Sequence, residues 1–373
     1  MTAAPLPTWQ AVGARVTQAR SALGLTQAEL GSKVGLGRTV IAKIEHGNRT
    51  LSALELAQLA RVTDLPIDWF VTESPPVVAS HRTAVPRATR LVDLQVEVLA
   101  REVLQLIEAG LLNPAGSRIA LRVPRNVAEA EATADKVLQH VGQVDEDRVD
   151  LAAAAEALNL FAYSIALAES QADGAYVAID AQTGVALING CRPSGRRRFT
   201  LAHEIGHHVF QDEYVVDLDV DTSTERLINA FAIHLLVPRE ALRRRWEDLD
   251  GNNDPRPAAI VIAAERGVSW TAFCSHASNL GVLDRPTGAV LADTPPTAQE
   301  YADFGIGIAD ALSPSTIPES VKWAVLRGYR RHLLGIGRAL ELLHGTVLED
   351  DLPRQDGLPL EALAGELRSS QRE

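Results

Sequence analysis

The segment "TLAHEIGHHVF", residues 200–210, places two histidines four residues apart, His203 and His207, with Glu204 beside the first. On a helix, residues four apart share one face, so both rings can bind one metal ion. Zinc suits such nitrogen ligands in a tetrahedral site. Glu204 lies one residue around the helix, where its carboxylate can accept a proton from a water that the metal activates. The segment predicts a zinc site with Glu204 as general base.

A third protein ligand is expected from a neighbouring element, because catalytic zinc sites usually have three. Glu225 opens the next predicted helix, "ERLINAFAIHLLV", and is the best-placed candidate for a rigid ligand. The loop before Glu225 contains further acidic candidates, Asp212, Glu213, Asp217, Asp219 and Asp221. For each of these the favoured interpretation is a solvated acidic surface. His208 and His234 are interpreted as structural or solvent-facing.

Length and charge limit the remaining possibilities. A chain of 373 residues is expected to form two or three domains. The net charge of −12 argues against a protein that coats nucleic acid, but residues 1–72 hold seven Lys/Arg against five Asp/Glu. Any nucleic-acid contact is therefore expected at the N-terminus. No membrane span or signal peptide is predicted, and two distant cysteines, Cys191 and Cys274, suit a reducing cytoplasm.

Residues 8–72 predict five short helices. Thr26 with Glu29, and Ser52 with Glu55, have the spacing of capping boxes at helix starts. The second and third helices have helix-turn-helix proportions, and a packing module without a DNA role is the alternative. If the module binds DNA, the expected contacts with bases or phosphates are Gln27, Arg38, Thr39 and Lys43.

The rest of the chain predicts a mainly helical fold with a small β-sheet, an α+β class. Residues 73–90 are proline-containing and predict a linker. Residues 91–109 predict an amphipathic helix, whose apolar stripe is expected to pack within the chain, with a dimer seam as the alternative. Residues 124–168 predict helices, and residues 174–190 predict a β-hairpin. Residues 185–190 are the expected docking edge for an extended substrate. The arginines at 196–198 are weak candidates for oxyanion stabilisation and are expected mainly to support the fold or contact solvent.

Two long motifs then carry a resemblance. "RRFTLAHEIGHHVF" followed by "ERLINAFAIHLLVP" resembles the ImmA/IrrE family of zinc metallopeptidases, and the similarity covers about residues 145–285. The resemblance implies that His203, His207 and Glu225 bind Zn²⁺ and that Glu204 is the catalytic base. It also implies a zincin-like domain, assigned to residues 91–295, with a helical C-terminal region of unknown role at 296–373.

The N-terminal pattern "GLTQAELGSKVGLGRTVIAKIEHG" resembles the Xre/Cro-type helix-turn-helix domain over nearly all of residues 8–72. The resemblance implies operator DNA as a partner and a homodimer, since such domains usually read two half-sites. Gly37 departs from the Ser or Thr usual at its position and removes a capping hydroxyl.

Together these resemblances imply a cytoplasmic, DNA-binding zinc endopeptidase. Its expected substrate is a partner repressor, or the protein itself, in a stress, mobile-element or defence response. The alternative is a transcription regulator whose peptidase-like domain senses or binds without turnover.

Overall fold

The computed structural model describes residues 7–72, 79–81, 89–144, 147–167, 172–210, 222–306 and 312–357. These residues form helices around one four-stranded sheet, which confirms the predicted α+β class. Across the described ranges, no helix is both long and apolar enough to cross a membrane.

The N-terminal region forms the five expected helices around its own apolar core. Thr26 and Ser52 accept hydrogen bonds from the backbone N–H groups of Glu29 and Glu55, which confirms both capping boxes. Gly35 ends the second helix with φ of 70°, a conformation that glycine adopts without steric cost. The helices are α1 (Trp9–Ala22), α2 (Gln27–Val34), α3 (Arg38–Glu45), α4 (Ala53–Thr63) and α5 (Ile67–Val71).

The remainder of the chain supplies the sheet and the helices that cover it. In chain order its elements are β1 (Ala79–His81), α6 (Thr89–Glu108), α7 (Val127–His140), α8 (Leu151–Ala157), β2 (Leu160–Ile165), β3 (Gly174–Ala178), β4 (Gly184–Asn189), α9 (Ser194–Phe210), α10 (Thr222–Leu236), α11 (Arg239–Asp248), α12 (Pro255–Arg266), α13 (Trp270–Asn279), α14 (Arg285–Ala292), α15 (Ala298–Asp303), α16 (Glu319–Arg330) and α17 (Ile336–Leu342).

The sheet has the strand order β1-β3-β4-β2 and separates two apolar cores. Strands β3 and β4 form the predicted antiparallel hairpin, and β2 runs parallel to β4. Side chains alternate between the faces: Leu160 and Ala162 pack with α9 and α10, whereas Phe161 and Tyr163 pack with α6 and α16. Helix α9 and its histidines therefore lie on one face, and α6 lies on the other.

Helix α6 joins the N-terminal helices to the sheet. Its predicted stripe is buried, which confirms packing within the chain: Val92, Val96 and Val103 lie in the sheet core, and Leu94 lies in the N-terminal core. At the same junction, an oxygen of the buried Glu97 lies 2.7 Å from Arg15 of α1. The two halves of the chain are thus held together by apolar contacts and a buried ion pair.

Two predictions about the strands were wrong. Residues 160–165 form a strand rather than a helix, because a short buried apolar run satisfies either structure and only its pairing with β4 decides. The strand at residues 185–190 is not a sheet edge, because β4 pairs with β3 on one side and β2 on the other. At the outer side of β2, Ser164 and Thr316 exchange backbone hydrogen bonds of 2.8 and 2.9 Å.

Candidate functional site

Helices α9 and α10 bring three metal-binding side chains to one point. His203 and His207 extend from α9 with their Nε2 atoms 3.0 Å apart. Glu225, in the first turn of α10, places one oxygen 3.4 Å from His203 Nε2 and the other 3.5 Å from His207 Nε2. Within the described part of the chain, these three form the one group of His, Cys, Asp and Glu side chains spaced to hold a metal ion.

The spacing of these atoms fits a zinc ion. Tetrahedral geometry with metal–ligand bonds of about 2.0–2.1 Å separates the ligand atoms by about 3.3 Å. The three separations, 3.0, 3.4 and 3.5 Å, lie close to this value. Two imidazole nitrogens and a carboxylate are also a donor set that zinc accepts. The residues present therefore fit the ion that the sequence predicts.

Asn229 orients the first histidine. The Nδ1–H group of His203 donates a hydrogen bond of 3.1 Å to the side-chain oxygen of Asn229, which directs Nε2 toward Glu225. Asn229 follows Glu225 by four residues, so both lie on one face of α10. The motif "ERLINAFAIHLLVP" contains Asn229 but does not by itself indicate that it contacts His203. The four-residue spacing between Asn229 and Glu225 is the sequence signal that could have indicated this role.

Glu204 is fully buried between α9 and the sheet. A Cβ atom built on Gly174 at the start of β3 would lie 3.3 Å from a carboxylate oxygen of Glu204 and 2.6 Å from Thr200 Cγ2. Glycine at this position therefore lets β3 approach α9 closely. The catalytic candidate thus lies against the first residue of β3, one helix position from His203.

The other histidines near the site are structural. His208 Nε2 lies 2.8 Å from the Leu158 carbonyl, and its Nδ1 lies 3.1 Å from the Tyr176 hydroxyl. Burial lowers the pKa of His208 to about 4, so the ring is neutral near pH 7. His234 is also buried and packs edge-on against His276. Both histidines match the structural interpretation.

The arginines before the histidine pair support the fold. Arg197 donates to the Gly190 carbonyl, and Arg198 donates to the Val149 carbonyl. Arg196 pairs with the buried Asp173, a residue that no sequence motif had indicated. None of these contacts is directed at the histidine pair. The acidic candidates Asp212, Glu213, Asp217, Asp219 and Asp221 lie outside the described residues.

The predicted DNA contacts lie on α2 and α3. Arg38, Thr39 and Lys43 of α3 are exposed. Gln27, at the start of α2, donates a hydrogen bond of 2.7 Å to Glu45 and is thereby held against the end of α3. Gly37 precedes α3 without a side-chain cap, as its identity predicts. The helix-turn-helix pair therefore presents two cationic side chains from its second helix.

Two family profiles match the regions that contain these candidate sites. Residues 162–278 match the profile of the IrrE N-terminal-like domain of the peptidase M78 family, and residues 16–70 match the helix-turn-helix profile. The chain carries an M78 domain behind a helix-turn-helix domain. The M78 match contains His203, His207 and Glu225, and the helix-turn-helix match contains α2 and α3.

Curated relatives match a shorter part of the chain. A protein from Rhodospirillum rubrum, described as an uncharacterized transcriptional regulator in the ATPase CF(0) region, is 39% identical over 62 residues, which is 17% of this chain and 57% of that protein. HTH-type transcriptional regulators from Sinorhizobium medicae and Rhizobium meliloti are each 30% identical over 64 residues, 17% of this chain and 46% of theirs. The chain spans about half the length of these relatives.

The chain can also be aligned with a solved structure of a DNA-bound regulator. The Bacillus thuringiensis PlcR structure, in complex with the peptide PapR7 and DNA, aligns with 90% of this chain and 88% of that chain, at 10% identity. Its TM-score is 0.18, so the alignment does not indicate a shared overall fold.

Gly206 sets the distance between the two helices that carry the candidate ligands. A Cβ atom there would lie 2.9 Å from Ile228 Cγ2 and 3.1 Å from Phe231 Cδ1, both on α10. We expect Gly206→Ala to push α10 away from α9, weaken zinc binding, and lower the free energy of unfolding by about 1–3 kcal/mol. Chelator competition measures the zinc affinity, and urea unfolding in EDTA measures the stability.

Gly337→Ala is the matched control for this substitution. Gly337 is also helical, in α17, but nothing lies within 4 Å of an added Cβ. Zinc binding should be unchanged and stability equal or slightly higher, because alanine favours helix more than glycine does. Wild-type zinc affinity in Gly206→Ala would show that the close helix contact does not position Glu225.

Proposed function

We propose that this chain is a DNA-binding transcription regulator with zinc-dependent endopeptidase activity, and that it cleaves a partner repressor or regulator. The observation that carries the proposal is the convergence of His203, His207 and Glu225 beside the buried Glu204. The M78 match over the same residues supports it. A DNA-bound peptidase would meet regulators at their operators, which favours a regulator as substrate, in a stress, mobile-element or defence response.

The positions of these residues support the following roles. His203, His207 and Glu225 would hold the metal, with Asn229 keeping His203 in the tautomer that presents Nε2. A bound zinc ion supplies Lewis acidity, which acidifies water and polarises a peptide carbonyl. Glu204 then takes the proton of the attacking water and delivers it to the leaving amine. Its burial keeps bulk water from competing for that proton.

A regulator without turnover is the second candidate. The observation that favours it is that the curated relatives are named only as transcriptional regulators. A metal site that only senses or binds has no need of a general base, so the two candidates differ in whether Glu204 matters. Both use DNA as a partner, and both are compatible with the homodimer that two half-sites require.

Loss of a specific regulator in cells is the direct test. The chain is co-expressed with each regulator encoded by a neighbouring gene, and their full-length forms are followed by immunoblot. The proposal expects one regulator to disappear with the wild-type chain and to persist with Glu204→Gln. If no regulator is shortened, or if Glu204→Gln removes it equally well, the peptidase assignment is wrong.

DNA binding is tested on α3. We expect Arg38→Ala with Lys43→Ala to weaken operator binding at least tenfold, because a base or phosphate contact is worth about 1–3 kcal/mol at a specific site. The dependence of affinity on salt should become shallower by about one for each phosphate that the variant no longer binds. Fluorescence anisotropy with DNA from the upstream region, across a salt series, measures both.

A pair of arginines outside the N-terminal helices provides the charge-matched control. Arg125 precedes α7 and Arg243 lies on α11, and both side chains are exposed. Replacing both with alanine removes the same two charges and should leave operator affinity near wild type. Equal affinity of the α3 double variant and the wild-type chain would contradict the helix-turn-helix assignment.

A further inference from the structure

Strand β1 comes from the segment between the two family matches. The helix-turn-helix match ends at residue 70 and the M78 match begins at residue 162, so β1, at residues 79–81, belongs to neither. It pairs antiparallel with β3 and forms one end of the strand order. The paired positions are Ala79 with Val177, Ser80 with Tyr176 and His81 with Ala175.

This pairing ends next to the catalytic candidate. His81 is in register with Ala175, and Ala175 follows Gly174, the residue that lies against Glu204. The C-terminal end of β1 is therefore one residue position, about 3.4 Å along the strand, from the point where β3 meets Glu204. The backbone of β1 runs antiparallel to β3 toward the site.

Strand β1 forms this end of the sheet, and without it the outer side of β3 would be the edge beside Glu204 to which an extended substrate would add. An extended peptide binds a sheet by adding a strand, so it needs backbone N–H and C=O groups at an edge. In the described sheet β4 is central, and the outer side of β2 is engaged by Thr316. Strand β3 adjoins Glu204, but β1 already pairs with it. A substrate strand and β1 compete for the same backbone groups.

We propose that residues 79–81 are an internal occupant of the peptide-binding edge of β3, and that they must leave it before an extended protein segment can pair beside Glu204. This inference rests on the proposed peptidase function. A three-residue strand is short enough to be displaced, and its covalent tether keeps it at a high effective concentration near the edge. Release of β1 from β3 would then permit cleavage at the metal site.

Proline substitutions in β1 should weaken its pairing with β3. In an antiparallel pair, alternate residues donate N–H groups to the partner strand, so either Ala79→Pro or Ser80→Pro removes a donor to β3. Ser80→Ala keeps the N–H group and is the matched control. The loss of one such bond should raise the rate of cleavage about two- to tenfold in one of the two proline variants.

A reversible crosslink tests the opposite direction. His81→Cys with Ala175→Cys places two cysteines at paired positions, in a Cys191→Ser background that removes the exposed native thiol. Oxidation should lock β1 on β3 and abolish cleavage, and reduction with a phosphine should restore it. Hydrogen exchange at residues 175–177 reports independently whether β1 is bound.

Each assay uses the zinc-loaded full chain and a peptide library prepared by digesting a denatured bacterial proteome, with new N-termini counted by mass spectrometry. Faster cleavage by a proline variant and loss of cleavage in the crosslinked form support the proposal that β1 blocks the edge of β3. Glu204-dependent cleavage that neither change alters overturns it and leaves the peptidase function intact. Glu204-dependent cutting of the linker itself also overturns it, because β1 would then be substrate. No Glu204-dependent cleavage in any variant contradicts both proposals.

Discussion

Glu204→Gln is expected to retain one zinc ion per chain and to lose cleavage of the protein substrate by about 10²- to 10⁴-fold, the usual contribution of a general base. Glutamine has nearly the shape of glutamate, so the buried space beside Gly174 stays filled. It cannot accept the proton of the attacking water, however. Metal analysis of purified protein and the rate of substrate cleavage measure the two halves of this prediction.

An isosteric substitution elsewhere controls for the loss of a carboxylate. Glu265 lies on α12, where it pairs with Arg245 away from the histidines. Glu265→Gln should keep both zinc and cleavage. If Glu204→Gln cleaves at the wild-type rate, Glu204 is not the base; if it loses zinc, Glu204 belongs to the ligand set and the assignment of roles changes.

His203→Ala is expected to abolish tight zinc binding. The substitution would remove one of the three candidate ligand atoms and leave a pair too weak to compete with a chelator. Bound zinc would also stabilise the fold, by about 2.7 kcal/mol when free zinc is 100 times its dissociation constant. EDTA should therefore lower the Tm of the wild-type chain and leave that of His203→Ala unchanged.

The control for this second prediction is another buried histidine. His276 is buried on α13, its Nε2–H group donates to the Val237 carbonyl, and burial lowers its pKa to about 4. His276→Ala should destabilise the fold but keep one zinc ion and the response to EDTA. Full zinc content in His203→Ala would refute the ligand assignment, whatever the effect on stability.

Local sequence signals predicted much of the fold because they act within a few residues. The capping boxes at Thr26 and Ser52 mark helix starts through hydrogen bonds three residues apart. The stripe of α6 predicted burial, and the turn sequence "AQTG" at residues 181–184 predicted the hairpin. In the candidate site, the spacing of His203 and His207 on one helix face was equally local.

These local signals do not predict which strands pair with each other. The run at residues 160–165 is buried on both faces of the sheet, so it lacks the alternation that marks a half-buried strand. Strand β1 has three residues within a proline-containing segment, too few for any periodicity. Both are strands because of backbone hydrogen bonds to residues about 24 to 98 positions away, at β4 and β3.

The sequence by itself determined the two modules, the histidine pair and the glutamate beside it, because residues four apart on a helix lie on the same face. Only the tertiary structure decided how far Glu225 lies from that pair, since the distance depends on α10 packing against Gly206. It also decided which strand edge adjoins Glu204 and that β1 lies on it. Those relations join elements remote in sequence, and no local pattern encodes them.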